Sequence, residues 1–311
     1  MSKLFLTGAT GFIGSHFLQH ALGQGFEVRA LTRNPNFVAD QDNLQWHEGD
    51  LAVEQNWVEQ LKSIDVVVHM AAEVSEDAVM QSVNLEGSVR LLNAAIEVGV
   101  RRWVQLSSVG VYGVVRDGVV DEYWDHNPSA LYENTKADFD VALIEASKWS
   151  GLEVCILRPS NVYGPGMRNQ SIKQMLTVIR KNLFLFIGPE GASANYVHVQ
   201  DVVQALALCV SHPKAANKTY IVSAWATMEK LVGGLAEGAG LANPFLRIPL
   251  WVAVLFANAT QWCRFSPLTM GRVFAISGRS RYNTEKIENE LGWKLTIPVK
   301  EGMREFARGL R

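Results

Sequence analysis

The first half of the chain alternates short apolar runs with longer amphipathic stretches. The apolar runs have the length of buried strands and read KLFLT, FEVRALT, LQWHEG, DVVVHMA, RWVQLSS and EVCILRPS. Helices are predicted between them, over residues 12 to 24, 54 to 62, 78 to 98 and 129 to 150. Apolar strands that alternate with helices are typical of a parallel sheet covered on both faces. We therefore predict an α/β fold with a doubly wound parallel sheet.

The alternation becomes less regular after about residue 164, where YGPGMRNQ forms a turn-rich break. Beyond it we predict, in order, a helix over 171 to 181, a strand at LFLFIG, a helix over 201 to 211, a strand at TYIVS and an apolar helix near 250 to 262. The division predicts a larger unit over residues 1–163 and a smaller C-terminal lobe over 164–311 that closes over it. Some elements are expected to cross this boundary.

Three residues are interpreted as structural. Gly87 lies inside the predicted helix over 78 to 98, where glycine costs about 1 kcal/mol relative to alanine, so we predict a close packing contact there. His198 and Asp201 lie at a predicted helix start, and we expect them to cap or brace it.

Composition narrows the class of protein. The 311 residues are 48% apolar and 19% charged, which is typical of a folded globule with a sizeable core. The net charge is −2 and no basic run occurs, so no nucleic-acid partner is expected. Cys155, Cys209 and Cys263 are far apart and have apolar neighbours, and we interpret them as buried thiols of a reducing compartment rather than metal ligands or disulfides.

One stretch, IPLWVAVLFANATQWC at residues 248 to 263, resembles a membrane segment. Its strongly apolar part is about ten residues long and ends at Asn258, which is too short to span a bilayer. We predict a core helix or a helix that covers a pocket, with peripheral membrane contact as the alternative. KLFLT is interpreted as the first strand rather than a signal peptide, and a cytoplasmic protein is expected.

Three glycines follow the first strand, at Gly8, Gly11 and Gly14. In this G-x-x-G-x-x-G spacing the first glycine permits a tight turn, and the second lets backbone approach a pyrophosphate. The third lets the next helix pack close to the sheet with its N-terminus aimed at the phosphates. The stretch predicts a dinucleotide-binding turn of a Rossmann-type sheet; the alternative is a glycine-softened connection.

The second strand ends without an acidic residue. A carboxylate at this place would accept hydrogen bonds from the adenosine ribose and select NAD. Arg33 follows Thr32 instead, and a guanidinium suits a ribose 2′-phosphate. We therefore expect NADP to be preferred over NAD, although Arg33 also fits a solvated loop arginine.

The third and fourth strands end in further candidate residues. In EGDL, Asp50 and Leu51 follow the third strand, where a carboxylate would meet the adenine amino group. In HMAAEVS, Ala71 and Ala72 are small residues where a cofactor would lie against backbone.

YENTK places Tyr132 and Lys136 four residues apart on a predicted helix, so both project from one face. Upstream, QLSSVGVYG places Ser107 and Ser108 at the end of an apolar strand, where α/β folds build their sites. A phenol, an ammonium and a hydroxyl beside a dinucleotide form an apparatus for proton transfer. The ammonium is expected to lower the pKa of the tyrosine from about 10 while the serine binds the substrate oxygen.

The chain resembles the extended short-chain dehydrogenase/reductase family, also described as the NAD-dependent epimerase/dehydratase family. The segments that carry the resemblance occur in the family's order and spacing: TGATGFIG, GDL, HMAA, VNLEGS, SSVGVYG, YENTK, RPSNVYGPG and YVHVQDV. The likeness extends to ENELGWKLTIPVKEGMREF near the C-terminus and so covers nearly the whole chain.

The resemblance implies a role for each matching residue. Tyr132 would be the general acid/base, Lys136 would hold the nicotinamide ribose and keep the tyrosine acidic, and Ser108 rather than Ser107 would orient the substrate oxygen. Asn84 matches a position on the cofactor side. The expected cofactor-binding set is Gly8, Thr10, Gly11, Phe12, Ile13, Gly14, Arg33, Asp50, Leu51, Ala71, Ala72, Asn84, Ser107, Tyr132, Lys136, Pro159, Asn161 and Val162.

Departures from the family pattern narrow the reaction. Val109 and Gly110 stand where sugar-nucleotide dehydratases usually carry an Asp-Glu pair. Ala194 and Asn195 stand where sugar-nucleotide enzymes usually carry an arginine for the pyrophosphate, and a buried diphosphate without a cation is poorly satisfied. Asn161 points the other way, since epimerases often have an asparagine there.

The C-terminal stretch, with RIPLWVAVLFANATQW, SPLTMGRV and SRYNTEK, resembles the branch that acts on hydroxysteroids, dihydroflavonols and other bulky apolar ketones. These residues would also fit the lobe's own core. We expect an enzyme that interconverts a ketone and a secondary alcohol on a small, bulky, apolar substrate. The alternatives are a nucleotide-sugar epimerase with tightly bound NAD and a non-catalytic, cofactor-sensing regulatory protein. The family implies a homodimer through the helices over 78 to 98 and 129 to 150.

Overall fold

The computed structural model describes residues 2–167, 170–260, 262 and 269–310, and its strands are dominated by one large parallel sheet. In chain order the strands are β1 (Lys3–Thr7), β2 (Glu27–Thr32), β3 (Leu44–Glu48), β4 (Val66–His69), β5 (Arg102–Leu106), β6 (Val119–Val120), β7 (Glu153–Pro159), β8 (Asn161–Tyr163), β9 (Phe186–Ile187), β10 (Ser193–His198), β11 (Lys218–Val222), β12 (Ala224–Thr227), β13 (Arg247–Ile248) and β14 (Arg281–Tyr282).

The helices cover both faces of that sheet and build the second lobe. In chain order they are α1 (Phe12–Gly23), α2 (Trp57–Leu61), α3 (Asp77–Gln81), α4 (Ser88–Glu97), α5 (Leu131–Ser150), α6 (Ser171–Arg180), α7 (Val199–Ser211), α8 (Met228–Ala239), α9 (Leu250–Ala259), α10 (Met270–Ser277), α11 (Glu285–Leu291) and α12 (Val299–Arg308). A π-helical turn, Ser82–Gly87, joins α3 to α4.

The large sheet has the strand order β11-β7-β5-β4-β1-β2-β3, and every neighbouring pair is parallel. Its strands are apolar because both faces are covered. One face packs against α1 and α7 through residues such as Phe17 and Leu206, and the other packs against α4 and α5 through residues such as Leu91 and Leu143. The predicted doubly wound Rossmann-type sheet is confirmed.

The C-terminal half of the chain returns to this sheet. β11 pairs with β7, and α7 packs against α1 in the same apolar cluster as β1. The predicted boundary at residue 163 stays a prediction, and the elements expected to cross it include α7 and β11.

The remaining C-terminal elements form a smaller lobe around its own apolar cluster. The paired helices α8 and α12 contribute Leu231, Leu235 and Met303, and α6 contributes Leu176. A three-stranded sheet of order β12-β10-β8 connects the lobe to the end of β7. The lobe therefore lies at the edge of the sheet where the parallel strands end.

Element boundaries differ from the prediction where local sequence is weak. Only Phe186–Ile187 of LFLFIG pairs as a strand, and the helix predicted over 54 to 62 is the short Trp57–Leu61. Helix α8 was not predicted, because MEKLVGGLAEGA carries three glycines that lower helix propensity. The turn-rich break at YGPGMRNQ includes residues 168–169, which lie outside the described residues.

The residues interpreted as structural have the expected contacts. A Cβ on Gly87 would lie 2.0 Å from the carbonyl oxygen of Leu51, which confirms the close approach. His198 Nδ1 accepts a hydrogen bond from the Gln200 amide at the start of α7, and buried Asp201 accepts from Thr296 and Ile297. Both residues therefore brace a helix start.

The thiol prediction is confirmed for Cys155 and Cys209, which are buried and free. Cys263 lies outside the described residues.

The apolar helix predicted near 250 to 262 is observed as α9, but it is not a core helix. Ala253 and Ala257 are buried, whereas Trp251 is 66% exposed and Leu255 is 60% exposed. The expectation that this helix is buried in the core is wrong, because only one narrow side of it meets the lobe. Among the described residues, no helix has the length and apolar character needed to cross a membrane.

Gly87→Ala should destabilise the protein. The new methyl group would collide with the backbone of the loop after β3, and overpacking of this kind costs about 1–3 kcal/mol. Urea unfolding measures the change. Gly23→Ala is the matched control, because a Cβ there meets nothing within 4 Å, and it should stabilise α1 slightly. Equal effects of the two substitutions would contradict the close approach at Gly87.

Candidate active site

The carboxyl ends of the parallel strands open into one long cleft with two adjoining cavities. The β2 cavity, about 420 Å³, lies at the end of β2 and is lined by Thr10, Arg33 and Asp50 among others. The α5 cavity, about 400 Å³, lies between β5, β7 and α5 and is lined by Ser108, Tyr132 and others. Both cavities are bordered by Gly8, Gly11, Met70 and Ala72, so they form a continuous groove.

The glycine turn forms the floor of this groove. Gly8 has φ +70°, and a Cβ there would lie 2.6 Å from the Ala71 nitrogen, so a side chain would collide with the loop after β4. A Cβ on Gly14 would lie 2.0 Å from the Gly8 carbonyl oxygen. Helix α1 begins after Gly11 without a side-chain cap, which leaves its first N–H groups open to the groove. The turn therefore fits a phosphate-bearing ligand.

A buried hydrogen-bond chain under the turn holds the loop after β4. Thr7 Oγ1 accepts from the backbone nitrogens of Met70 and Ala71 and lies 2.9 Å from His69 Nδ1. His69 Nε2 lies 2.9 Å from Ser88 Oγ on α4. Burial, and secondly the Lys136 charge, hold the pKa of His69 well below its usual range, so the ring is neutral. The chain was not predicted, because its members are far apart in sequence.

The end of β2 carries a cation without a local partner. The Arg33 side chain is exposed at the β2 cavity and has no hydrogen bond or ion pair with the residues that the structure describes. Thr32 and Asn34 flank it, and no carboxylate follows β2 directly. Asp50 lines the same cavity, and its Oδ1 accepts from the Ala52 amide.

The α5 cavity brings together Ser108, Tyr132 and Lys136. Lys136 is buried, and its Nζ donates to the carbonyl oxygen of Leu106 at 2.9 Å. Burial lowers the pKa of Lys136 to about 8, partly offset by the carboxylate of Asp140. The residues predicted from two separate stretches thus share one cavity.

The expected acidification of Tyr132 is not found in this structure. Burial raises the pKa of Tyr132 to about 12, and the charges of Asp140 and Glu133 raise it further. The Lys136 ammonium does not offset them, and its hydrogen bond goes to Leu106 instead. The phenol is therefore protonated at neutral pH.

Asp140 fixes α5 against two strands. Its Oδ2 accepts from Ser107 Oγ at 2.8 Å and from the guanidinium of Arg158 at 2.9 Å, and all three side chains are buried. Arg158 also donates to the hydroxyl of Tyr112 at 2.9 Å. Asp140 follows Lys136 by one helical turn, so this network sets the position of the reactive face of α5. Sequence reasoning missed Asp140, since one carboxylate in an amphipathic helix carries no signal.

The two serines have different surroundings. The Ser107 hydroxyl donates to Asp140, whereas Ser108 Oγ accepts from the Gly110 amide at 3.0 Å. The Ser108 hydroxyl proton has no acceptor among the described residues and lies at the α5 cavity. Ser108 is thus the serine that remains able to donate to a ligand.

All predicted site residues line one of the two cavities except Asn84. The Asn84 side chain is buried, and it accepts from the Glu73 amide at 2.7 Å and donates to the Glu73 carbonyl at 2.8 Å. It braces the loop after β4 from behind. Several lining residues were not predicted: Leu31, Thr32, Asn34, Gly49, Met70, Glu73, Val74, Val83, Leu106 and Ser160.

The loop after β7 forms the far wall of the α5 cavity. Pro159, Asn161 and Val162 line it, and Asn161 Nδ2 donates to the carbonyl oxygen of Asn195 on β10 at 3.2 Å. This contact links the cavity wall to the C-terminal lobe.

Known proteins with similar sequences include enzymes of two kinds. The UDP-glucose 4-epimerase of Vibrio cholerae is 28% identical over 98% of this chain and 94% of its own length. The 3beta-hydroxysteroid-dehydrogenase/decarboxylase isoform 1 of Arabidopsis thaliana is 26% identical over 96% of this chain and 77% of its own.

Solved structures show the same fold across the whole chain. MoeE5 in complex with UDP-glucuronic acid and NAD superimposes with a TM-score of 0.77, at 27% identity, and the match covers 100% of both chains. The family model described as "NAD dependent epimerase/dehydratase family" matches residues 4–223, which include the glycine turn, Ser108, Tyr132 and Lys136. The chain therefore belongs to the NAD-dependent epimerase/dehydratase family, within the extended short-chain dehydrogenases/reductases.

Proposed function

We propose that the protein is an NADP-preferring oxidoreductase that interconverts a ketone and a secondary alcohol on a bulky, apolar substrate. The observation that carries the proposal is the α5 cavity, where Ser108, Tyr132 and Lys136 meet beside the glycine turn. Family membership makes the chain a nicotinamide-dependent enzyme of the short-chain dehydrogenase/reductase type. The substrate and the choice of cofactor are the parts we propose.

The groove fits a dinucleotide along its length. The Gly8 backbone and the open N-terminus of α1 would hold the pyrophosphate, because neither leaves room for a side chain or carries a competing cap. At the β2 cavity, Asp50 would meet the adenine and Arg33 would pair with a ribose 2′-phosphate. The absence of a carboxylate directly after β2 supports NADP, whereas the similar solved structure of MoeE5 contains NAD.

The side chains of the α5 cavity supply the proton and orient the substrate. When bound, the nicotinamide supplies or accepts the hydride. Tyr132, which is protonated at neutral pH, donates its proton to the carbonyl oxygen during reduction. Ser108 donates a hydrogen bond to the same oxygen, and Lys136 binds the nicotinamide ribose from the buried side. The charge of Lys136 stabilises the phenolate that remains.

The C-terminal lobe supports an uncharged substrate. Ala194 of β10 is buried, and the Asn195 amide donates to the carbonyl oxygen of Ser280, so this strand presents no cation. Nearby arginines already have partners: Arg281 stacks on Trp225, and Arg279 donates to three backbone carbonyls. A diphosphate would find little free positive charge here.

A nucleotide-sugar epimerase with tightly bound NAD is the second candidate. Asn161 lines the α5 cavity, and a UDP-glucose 4-epimerase is similar over almost the whole chain. Retention of NAD through purification together with binding of a UDP-sugar would favour this function over the first.

We also propose that the protein is a cytoplasmic homodimer that pairs through α4 and α5. Val141 and Ile144 on α5 are exposed, three residues apart on one helix face, which supports an apolar contact between subunits. Sedimentation velocity reads this state directly, and a monomer at micromolar concentration would contradict it.

The purified protein with NADPH should reduce at least one member of a panel of steroid-like, aromatic and aliphatic ketones. Tyr132→Phe removes the proton donor and should lower kcat at least about 10³-fold with little change in NADPH affinity. Absorbance at 340 nm and fluorescence titration measure the two quantities. Tyr123→Phe, at an exposed tyrosine, is the matched control and should keep full activity. Absence of turnover across the panel would sink the proposed reaction.

Arg33→Ala should weaken NADPH binding selectively. Loss of a charge-assisted contact to the 2′-phosphate costs about 1.5–3 kcal/mol, or roughly 10- to 100-fold in Kd, whereas the Kd for NADH should hardly change. Isothermal titration with both cofactors measures the selectivity. Arg308→Ala, at an exposed arginine on α12, is the control. If Arg33→Ala weakens both cofactors equally, NADP preference does not come from this residue.

Lys136 should make the stability of the cofactor-free protein rise with pH. Its pKa is about 8 when folded and near 10.5 when unfolded, so between these values the unfolded chain binds more protons. Relative to Lys136→Met, the wild type should gain about 2 kcal/mol between pH 7 and pH 9.5. Urea unfolding at both pH values gives the difference, and contacts that do not depend on pH cancel. Lys148→Met, at an exposed lysine, should show no such gain.

A further inference from the structure

A broad apolar surface covers one end of the C-terminal lobe. We call it the α9 surface, and its exposed side chains are Leu183, Leu185, Phe245, Leu246, Leu250, Trp251, Leu255, Phe256 and Trp262. Phe245 is 83% exposed and Trp262 is 89% exposed. Scattered apolar side chains are normal on a water-facing surface, but a concentration of this kind marks an interaction site.

Helix α9 divides sharply into two sides. Ala253 and Ala257, four residues apart, are buried against Ile187 and Val273, so one narrow side rests on the lobe. Trp251 and Leu255, also four residues apart, lie on the opposite side and are exposed. The large apolar side chains thus point away from the protein, and the small ones point toward it.

Strand pairing brings two connecting segments to the same end of the lobe. β9 pairs with β13, and the Phe186 amide donates to the carbonyl oxygen of Leu246, which sets Leu185 beside Leu246. α9 follows β13 after a single residue, Pro249. Four exposed side chains from the two connections therefore adjoin those of α9.

The charge around this surface has one sign. Residues 238 to 284 contain no Asp or Glu, and their charged residues are Arg247, Arg264, Arg272, Arg279 and Arg281. The acidic groups that face this region come from other segments: Glu190 and Glu229 both lie within 4 Å of Arg247. A stretch of net charge +5 in a chain of net charge −2 complements an anionic surface.

We propose that the α9 surface docks on an anionic lipid bilayer. Exposed Trp, Phe and Leu surrounded by arginines are the side chains of an interfacial anchor. Ten residues of helix span only about 15 Å, so α9 would lie in the plane of the interface rather than cross it. None of the residues of the α9 surface lines the cleft, so covering the cavities does not account for their exposure. The proposal does not depend on which substrate the enzyme takes.

Vesicle cosedimentation of the full-length protein tests the proposal. The protein is mixed with vesicles of phosphatidylcholine alone or with 30% phosphatidylglycerol, at low and high salt. We expect binding to the anionic vesicles, at least tenfold weaker binding to the neutral ones, and loss of affinity at high salt. Trp251→Gln with Leu255→Gln should lower binding to anionic vesicles at least tenfold. Trp149→Gln, at a tryptophan that is 70% exposed on α5, is the matched control and should bind as the wild type does.

Hydrogen exchange supplies a second measurement on the unaltered protein. Amides of residues 245 to 260 should become protected when anionic vesicles are added. Absence of binding, equal binding to both vesicle types, or equal binding by the double variant and the wild type would overturn the proposal. A dimer that the double variant dissociates, without vesicle binding by either protein, would assign the surface to a second copy of the chain and would also overturn it.

Discussion

The buried carboxylate of Asp140 is the contact on which the geometry of the active site depends. It binds Ser107 at the end of β5 and Arg158 on β7, and it lies one helical turn from Lys136. One side chain thereby ties the helix that carries the reactive pair to the two strands that form the opposite walls of the cavity. A carboxylate and a guanidinium removed from water are costly unless both are paired, so the arrangement tolerates little displacement of α5.

Most of the sheet could be predicted because its strands are apolar on both faces. Runs such as KLFLT and DVVVHMA are buried throughout, so their hydrophobicity alone marks them. The pattern failed where long-range packing decides the outcome. The two-residue strand β9 exists only through its pairing with β13, and α9 has a core-like composition although most of its apolar side chains are exposed. Composition records how apolar a helix is, but not what covers it.

The candidate site divides in the same way. The glycine turn and the pair Tyr132 and Lys136 were predictable, because backbone approach and helical spacing leave local signals. The roles of Asn84 and Thr7 were not, because their partners lie in the loop after β4, far along the chain. The protonation of Tyr132 also depends on burial and on carboxylates that tertiary packing brings near. Spacing identifies which residues meet, whereas the surroundings set their charge.

The place of β11 in the sheet has a consequence for synthesis on the ribosome. β7 is completed at residue 159, but the strand that covers its free edge ends at residue 222. Until that later segment leaves the exit tunnel, the nascent sheet exposes a row of unpaired amides and carbonyls on an apolar strand. Parallel pairing across such a separation forms slowly. The growing chain is thus most exposed to aggregation in this interval, and a chaperone that shields β7 would act there.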